Sequence, residues 1–191
     1  VFVHSLTKYA SGHGDVMGGA VIGSRKLLKT IERDFIVVGA TLDPHAAYLI
    51  QRGMKTYFLR YEQQCANALA VAHFLETQPR VAKVHYPGLA SHAGHALATK
   101  QMEGFGSIVT IELAADADAA RFTDALQLFA LSASLGSTES LVQPGQLMRP
   151  HDLNDQEREW AAVTSRTVRL SIGLEDADDL IADLSQALSV A

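Results

Sequence analysis

Glycines crowd the chain between residues 12 and 19, where Gly12, Gly14, Gly18 and Gly19 follow an apolar run, Val1-Phe2-Val3, and a short polar string, Ser5-Leu6-Thr7-Lys8. No other stretch restricts the fold as much. Val1, Phe2 and Val3 are β-branched or aromatic and predict a buried strand, and the glycines let the backbone turn tightly behind it. Lys8 stands at the mouth of that strand. A lysine withdrawn from water gives up its proton more readily, the condition for a nucleophilic amine that forms a Schiff base with an aldehyde. Ser5 and Thr7 flank it. In an extended segment residues two apart share a face, so both hydroxyls can address one anionic group. By residue type alone, most such tetrapeptides are ordinary surface loops.

With 191 residues and 48% hydrophobic content, the chain can bury a sizeable core in one or two domains. Its net charge is −5 and its sixteen basic residues are scattered, so no basic stripe exists for nucleic acid or an anionic membrane. A small acidic or zwitterionic substrate needs only local charges. The single cysteine, Cys65, excludes an intrachain disulfide, and no apolar run approaches the ~20 residues of a membrane span, so a cytoplasmic location is expected. The sequence opens on Val1, inside an apolar run, which suggests a preceding N-terminal part.

Periodicity predicts a second short strand at residues 20–23 and a helix capped by Ser24 with Leu27, Leu28, Ile31 and Phe35 on one face. Asp43 and Pro44 start another helix, expected to break near Gly53 and resume through Gln78 before Pro79. A long helix of this kind suits a connector, dividing the chain into residues 1–55 and 56–191. Beyond it, Val81 to Tyr86, Gly106 to Leu113, Leu131 to Leu135 and Thr167 to Ile172 read as strands. Helices are expected at 91–103, 116–129, 155–162 and from Ala177, the last capped by Asp176. The expected fold is α/β, ending in a small α+β domain with helices on one side of a mostly antiparallel sheet.

Several motifs recur in a fixed order: Ser5-Leu6-Thr7-Lys8-Tyr9 with Gly12-His13-Gly14-Asp15, Arg52-Gly53-Met54-Lys55-Thr56 with Arg60, and Tyr86-Pro87-Gly88-Leu89. Gly104-Phe105-Gly106, Ser134-Leu135-Gly136 with Glu139-Ser140-Leu141, and Val168-Arg169-Leu170-Ser171-Ile172-Gly173-Leu174-Glu175-Asp176 follow. Together they resemble the C-terminal half of the transsulfuration enzymes, a fold-type I family dependent on pyridoxal 5'-phosphate (PLP) that includes cystathionine γ-synthase, cystathionine and methionine lyases, and O-acylhomoserine sulfhydrylases. The resemblance implies that residues 1–55 are the end of a PLP-binding large domain. It implies that Lys8 carries PLP as a Schiff base and shuttles protons, that Ser5 and Thr7 bind the phosphate, and that Arg169 grips the substrate carboxylate beside Ser134 and Leu135. Arginine suits that task because its planar fork makes paired, charge-assisted hydrogen bonds. Without the resemblance, Arg169 reads most simply as pairing with Glu175 or Asp176.

The implied reaction is elimination or replacement at Cβ or Cγ of a sulfur amino acid or an activated homoserine, by a homo-oligomer, often a tetramer. The family's aspartate for the pyridine nitrogen and tyrosine over the ring precede the lysine segment, so the resemblance assigns them to an N-terminal half or a partner chain. Synthase, lyase and sulfhydrylase remain open. Where family members carry Met-Thr-His, this chain has Met148-Arg149-Pro150, which bears on substrate choice. The competing reading is an incomplete fragment acting as an oligomerisation or interaction module. No metal site is expected: His92 and His95 lie one helical turn apart without a third ligand, His13 reads as a turn residue, and Cys65 as packed rather than nucleophilic.

Overall fold

The computed structural model describes residues 1–148 and 154–191. The chain divides into two compact units, Val1–Leu59 and Arg60–Ala191.

In the first unit β1 (Phe2–Ser5) pairs antiparallel with β2 (Gly19–Ile22), Phe2 opposite Ile22 and Ser5 opposite Gly19. The strand forms where expected, but it is not buried: Phe2 is 74% and Val3 81% exposed. A two-stranded ribbon cannot cover both of its own faces. Ser24 caps α1 (Arg25–Val38) by accepting from the Leu27 amide, and Gly39 closes it in the left-handed region at φ 73°. α1 is amphipathic in sequence, yet Ile31, Phe35 and Val38 are all exposed. The Asp43 carboxylate accepts from the amides of His45 and Ala46 and starts α2 (Pro44–Met54), with Pro44 in its first turn. The expected break follows, and α3 (Tyr57–Glu76) resumes after Lys55 and Thr56.

The second unit contains β3 (Val81–His85), α4 (His95–Gln101), β4 (Ile108–Leu113), α5 (Ala119–Ala125), β5 (Ala130–Leu131), β6 (Leu141–Pro144), α6 (Gly145–Met148), α7 (Asp155–Ala161), β7 (Thr167–Ser171) and α8 (Ala177–Val190). Five strands form one sheet in the order β3-β4-β7-β6-β5, antiparallel except for the β5–β6 pair. The alternation of β4 buries Val109, Ile111 and Leu113, and β7 adds Val168 and Leu170 to the same core. Ala68, Val71 and Leu75 of α3, Phe122 of α5, and Leu180, Leu184 and Leu188 of α8 complete it. Period two then turns Thr167, Arg169 and Ser171 to the other face of β7.

Three expectations need correction. The strand expected over Leu131 to Leu135 shrinks to Ala130–Leu131, so Ser134 and Leu135 lie in a loop. β6 was not expected; Pro144 is tolerated as the strand's last residue. α5 ends at Ala125, short of the expected 129, because the Asp183 carboxylate takes the amides of Gln127 and Leu128. Arg149 and Pro150 lie outside the described residues.

Candidate active site

Lys8 lies within a run of turns from Leu6 to Ser11 that leaves the end of β1, and it is half-buried. Its carbonyl accepts from the Gly12 amide at 2.8 Å and from Ser11 Oγ at 3.3 Å, which closes the backbone around it. Gly12 and Gly14 take φ 73° and 68°, the left-handed conformations that glycine adopts without steric cost. The loop is backed by Gly53 of α2, where any Cβ would overlap the Ser11 carbonyl. Sequence reasoning treated Gly53 as a helix break. The Arg52-Gly53-Met54-Lys55-Thr56 motif gives no sign of this closeness to the lysine loop, which only the fold brings about.

The shared extended face expected for Ser5 and Thr7 does not form, because Ser5 ends β1 and Thr7 already lies in the turns. Thr7 Oγ1 donates to the Gly18 carbonyl at 3.2 Å and accepts from the Gly18 amide at 3.0 Å. It therefore staples the loop's two ends. The Ser5 hydroxyl is exposed, and no hydrogen bond to its Oγ is seen among the described residues. The broad hollow lined by Val21, Leu28, Ile31 and Phe35, together with the charged Arg25, Lys29 and Glu32, does not include Lys8.

In the second unit Arg169 sits on β7, opposite Thr110 of β4 and Gln143 of β6, and is half-buried. Its Nη2 donates to the carbonyls of Ala133 at 3.1 Å and Ser134 at 2.9 Å, bonds that fix the guanidinium plane. The two carboxylates that a purely structural reading would pair with Arg169 are engaged elsewhere. Glu175 accepts from the amide and hydroxyl of Ser140, and Asp176 caps α8 through the Asp178 amide. Ser134 thus meets Arg169 through its backbone, and Leu135, half-buried, follows in the same loop.

The family described as Cys/Met metabolism PLP-dependent enzyme matches residues 1–189. The chain belongs to this family. It is 46% identical to L-methionine gamma-lyase of Pseudomonas putida over 99% of its own length and 48% of that enzyme, and 45% identical to cystathionine gamma-synthase 1 of Arabidopsis thaliana over 97% and 33%. The crystal structure of cystathionine gamma-lyase from Lactobacillus plantarum superposes with a TM-score of 0.93 at 34% identity, covering 98% of this chain and 50% of that one. The chain spans about half or less of the curated relatives it matches.

The family's cofactor is PLP, and the loop around Lys8 fits it in its donor set. A lysine amine, an exposed serine hydroxyl and a threonine hydroxyl lie within four residues. Thr7 can turn its proton to a phosphate oxygen while still accepting from Gly18, since the Gly18 carbonyl also receives the amides of Leu6 and Thr7. Three of the histidines have structural partners: His95 Nδ1 meets the Pro87 carbonyl at 2.8 Å, His92 Nδ1 accepts from Gly94, and His13 Nδ1 meets the Ser11 carbonyl. Burial pushes the Cys65 thiol up from its ordinary value, only partly offset by hydrogen bonds from Gly106 and Tyr61. The thiolate is disfavoured, as expected of a packed cysteine.

Proposed function

We propose that this chain is the C-terminal half of a PLP-dependent enzyme that eliminates or replaces a group at Cβ or Cγ of a sulfur amino acid or an activated homoserine. Residues 1–55 are then the end of its PLP-binding domain, and the remainder its small C-terminal domain. Lys8 Nζ holds the cofactor, with Ser5 and Thr7 donating to its phosphate. When bound, PLP supplies the sink for the electrons released as the substrate Cα–H bond breaks. Lys8 Nζ, freed by the incoming amino group, takes the Cα proton. Arg169 grips the substrate carboxylate, and Ser134 and Leu135 line its pocket, so the labile bonds are held in a fixed orientation. A preceding half of the protein or a partner chain completes the site, in a cytoplasmic homotetramer. Among the described residues no helix is long and apolar enough to cross a membrane.

The observation that most supports this reading is the setting of Arg169. Its guanidinium is oriented by two carbonyls, while the nearby acidic residues Glu175 and Asp176 serve other amides. A guanidinium held in this way, in a family of amino-acid enzymes, is suited to a carboxylate. To test the function, the full protein is supplied in turn with cystathionine, with methionine, and with an O-acylhomoserine together with cysteine as the incoming thiol. A 2-oxo acid with ammonia, or a new thioether, is expected from at least one, with a loss of about a hundredfold or more in Lys8→Ala. Turnover unchanged in Lys8→Ala would overturn the assignment.

A further inference from the structure

The loop that orients Arg169 has no regular hydrogen-bond ladder of its own between Ser132 and Ser140, yet it is pinned at nearly every step. The Ser134 amide donates to Ser132 Oγ at 3.1 Å, and the Gly136 amide donates to Ser171 Oγ at 2.9 Å. Gln64 Nε2 reaches the Ser137 carbonyl at 2.6 Å, and the Thr138 carbonyl accepts from the Leu174 amide at 2.7 Å. Of these ties, the one from Ser171 bears most directly on the arginine. Ser171 lies two residues from Arg169 on the same face of β7 and is only 1% exposed.

β7 therefore makes a closed circuit with the loop. Arg169 donates outward to the carbonyls of Ala133 and Ser134, and two residues later in the loop the Gly136 amide comes back to Ser171. Gly136 takes φ 75°, the conformation that returns the chain toward the strand. Removing the Ser171 hydroxyl would leave a buried amide without its acceptor, and the loop would shift to recover one. That shift would move the carbonyl pair that sets the guanidinium plane.

We propose that Ser171 is a positioning residue for substrate recognition: its hydroxyl holds the loop whose carbonyls aim the Arg169 guanidinium at the substrate carboxylate. This rests on the proposed role of Arg169. Ser171 touches neither substrate nor cofactor, so its effect falls on binding of the carboxylate rather than on bond breaking.

The test is steady-state kinetics of the full enzyme with its preferred amino-acid substrate, comparing Ser171→Ala, Ser171→Thr and Arg169→Lys. In Ser171→Ala, KM rises about tenfold while kcat stays within about twofold, because a missing acceptor for one buried amide is a modest loss. Inhibition by a non-reacting amino acid weakens by the same factor, whereas inhibition by the matching amine, which lacks the carboxylate, is unchanged. Ser171→Thr, which keeps the acceptor, restores KM. If Ser171→Ala does not fold, Ser171→Cys fills the same space with a poorer acceptor and is expected to show the same split. An unchanged KM in Ser171→Ala or Ser171→Cys, or an equal loss for the amine inhibitor, overturns the proposal. If Arg169→Lys leaves KM unchanged, the role of Arg169 itself fails. If Arg169→Lys raises KM and Ser171→Ala does not, only the role of Ser171 fails.

Discussion

Cys65 shows how a single side chain's environment decides its chemistry. It sits half-buried on α3, and desolvation raises its pKa above the ordinary 9.0 despite hydrogen bonds from the Gly106 backbone and Tyr61. A raised value means that the folded chain holds the thiol proton longer than the unfolded one. The associated stability is therefore present below pH 9 and is lost as pH rises through the folded value. At pH 8, iodoacetamide is expected to label native Cys65 more slowly than the denatured chain, followed by mass analysis. Equal rates would show that burial does not govern the thiol. The sequence reading of Cys65 as packed rests on the same helical spacing that places Ala68 and Ala72 in the core. By contrast, the partners of Arg169 were not legible. They are backbone carbonyls in a loop thirty-five and thirty-six residues away in the chain, and no side-chain pattern announces a carbonyl. Glu175 was the obvious candidate by proximity along the sequence, yet Ser140 claims it.

The helix caps and the strands β3, β4 and β7 form where the sequence places them, whereas β5 is shorter than expected and β6 was not expected. Asp43 and Asp176 cap the helices they were expected to cap, because a short carboxylate before a helical pattern satisfies amides that have no other partner. Replacing Asp176 by Ala is expected to cost about 1 kcal/mol and to lower Tm by roughly 2–4 °C in a thermal melt, with α8 otherwise intact. No change in Tm would mean that water replaces the cap at no cost. β6 was missed because its four residues end in Pro144 before Gly145, and only its place between β5 and β7 makes it a strand. The short α5 has a similar cause, since the carboxylate that ends it comes from Asp183 on α8. Ser171 carried a usable signal: two positions from Arg169 on a strand, it had to share the arginine's face.

At the scale of the whole molecule, the two units differ in how far they satisfy their own apolar residues. The unit Arg60–Ala191 encloses a continuous core from α3 to α8, whereas the unit Val1–Leu59 leaves Phe2, Val3, Val37 and Val38 exposed. The chain also spans about half of its methionine gamma-lyase relatives. Both facts fit the proposal that the lysine loop works beside protein beyond these 191 residues. The central claim is that Lys8 carries PLP, and it is tested most directly on the native protein. Borohydride reduction fixes a lysine-bound PLP, and peptide mass analysis then locates it. The account predicts a reduced pyridoxyl phosphate adduct on Lys8, in the peptide that also contains Ser5 and Thr7. An unmodified Lys8 in protein purified with its cofactor would contradict it.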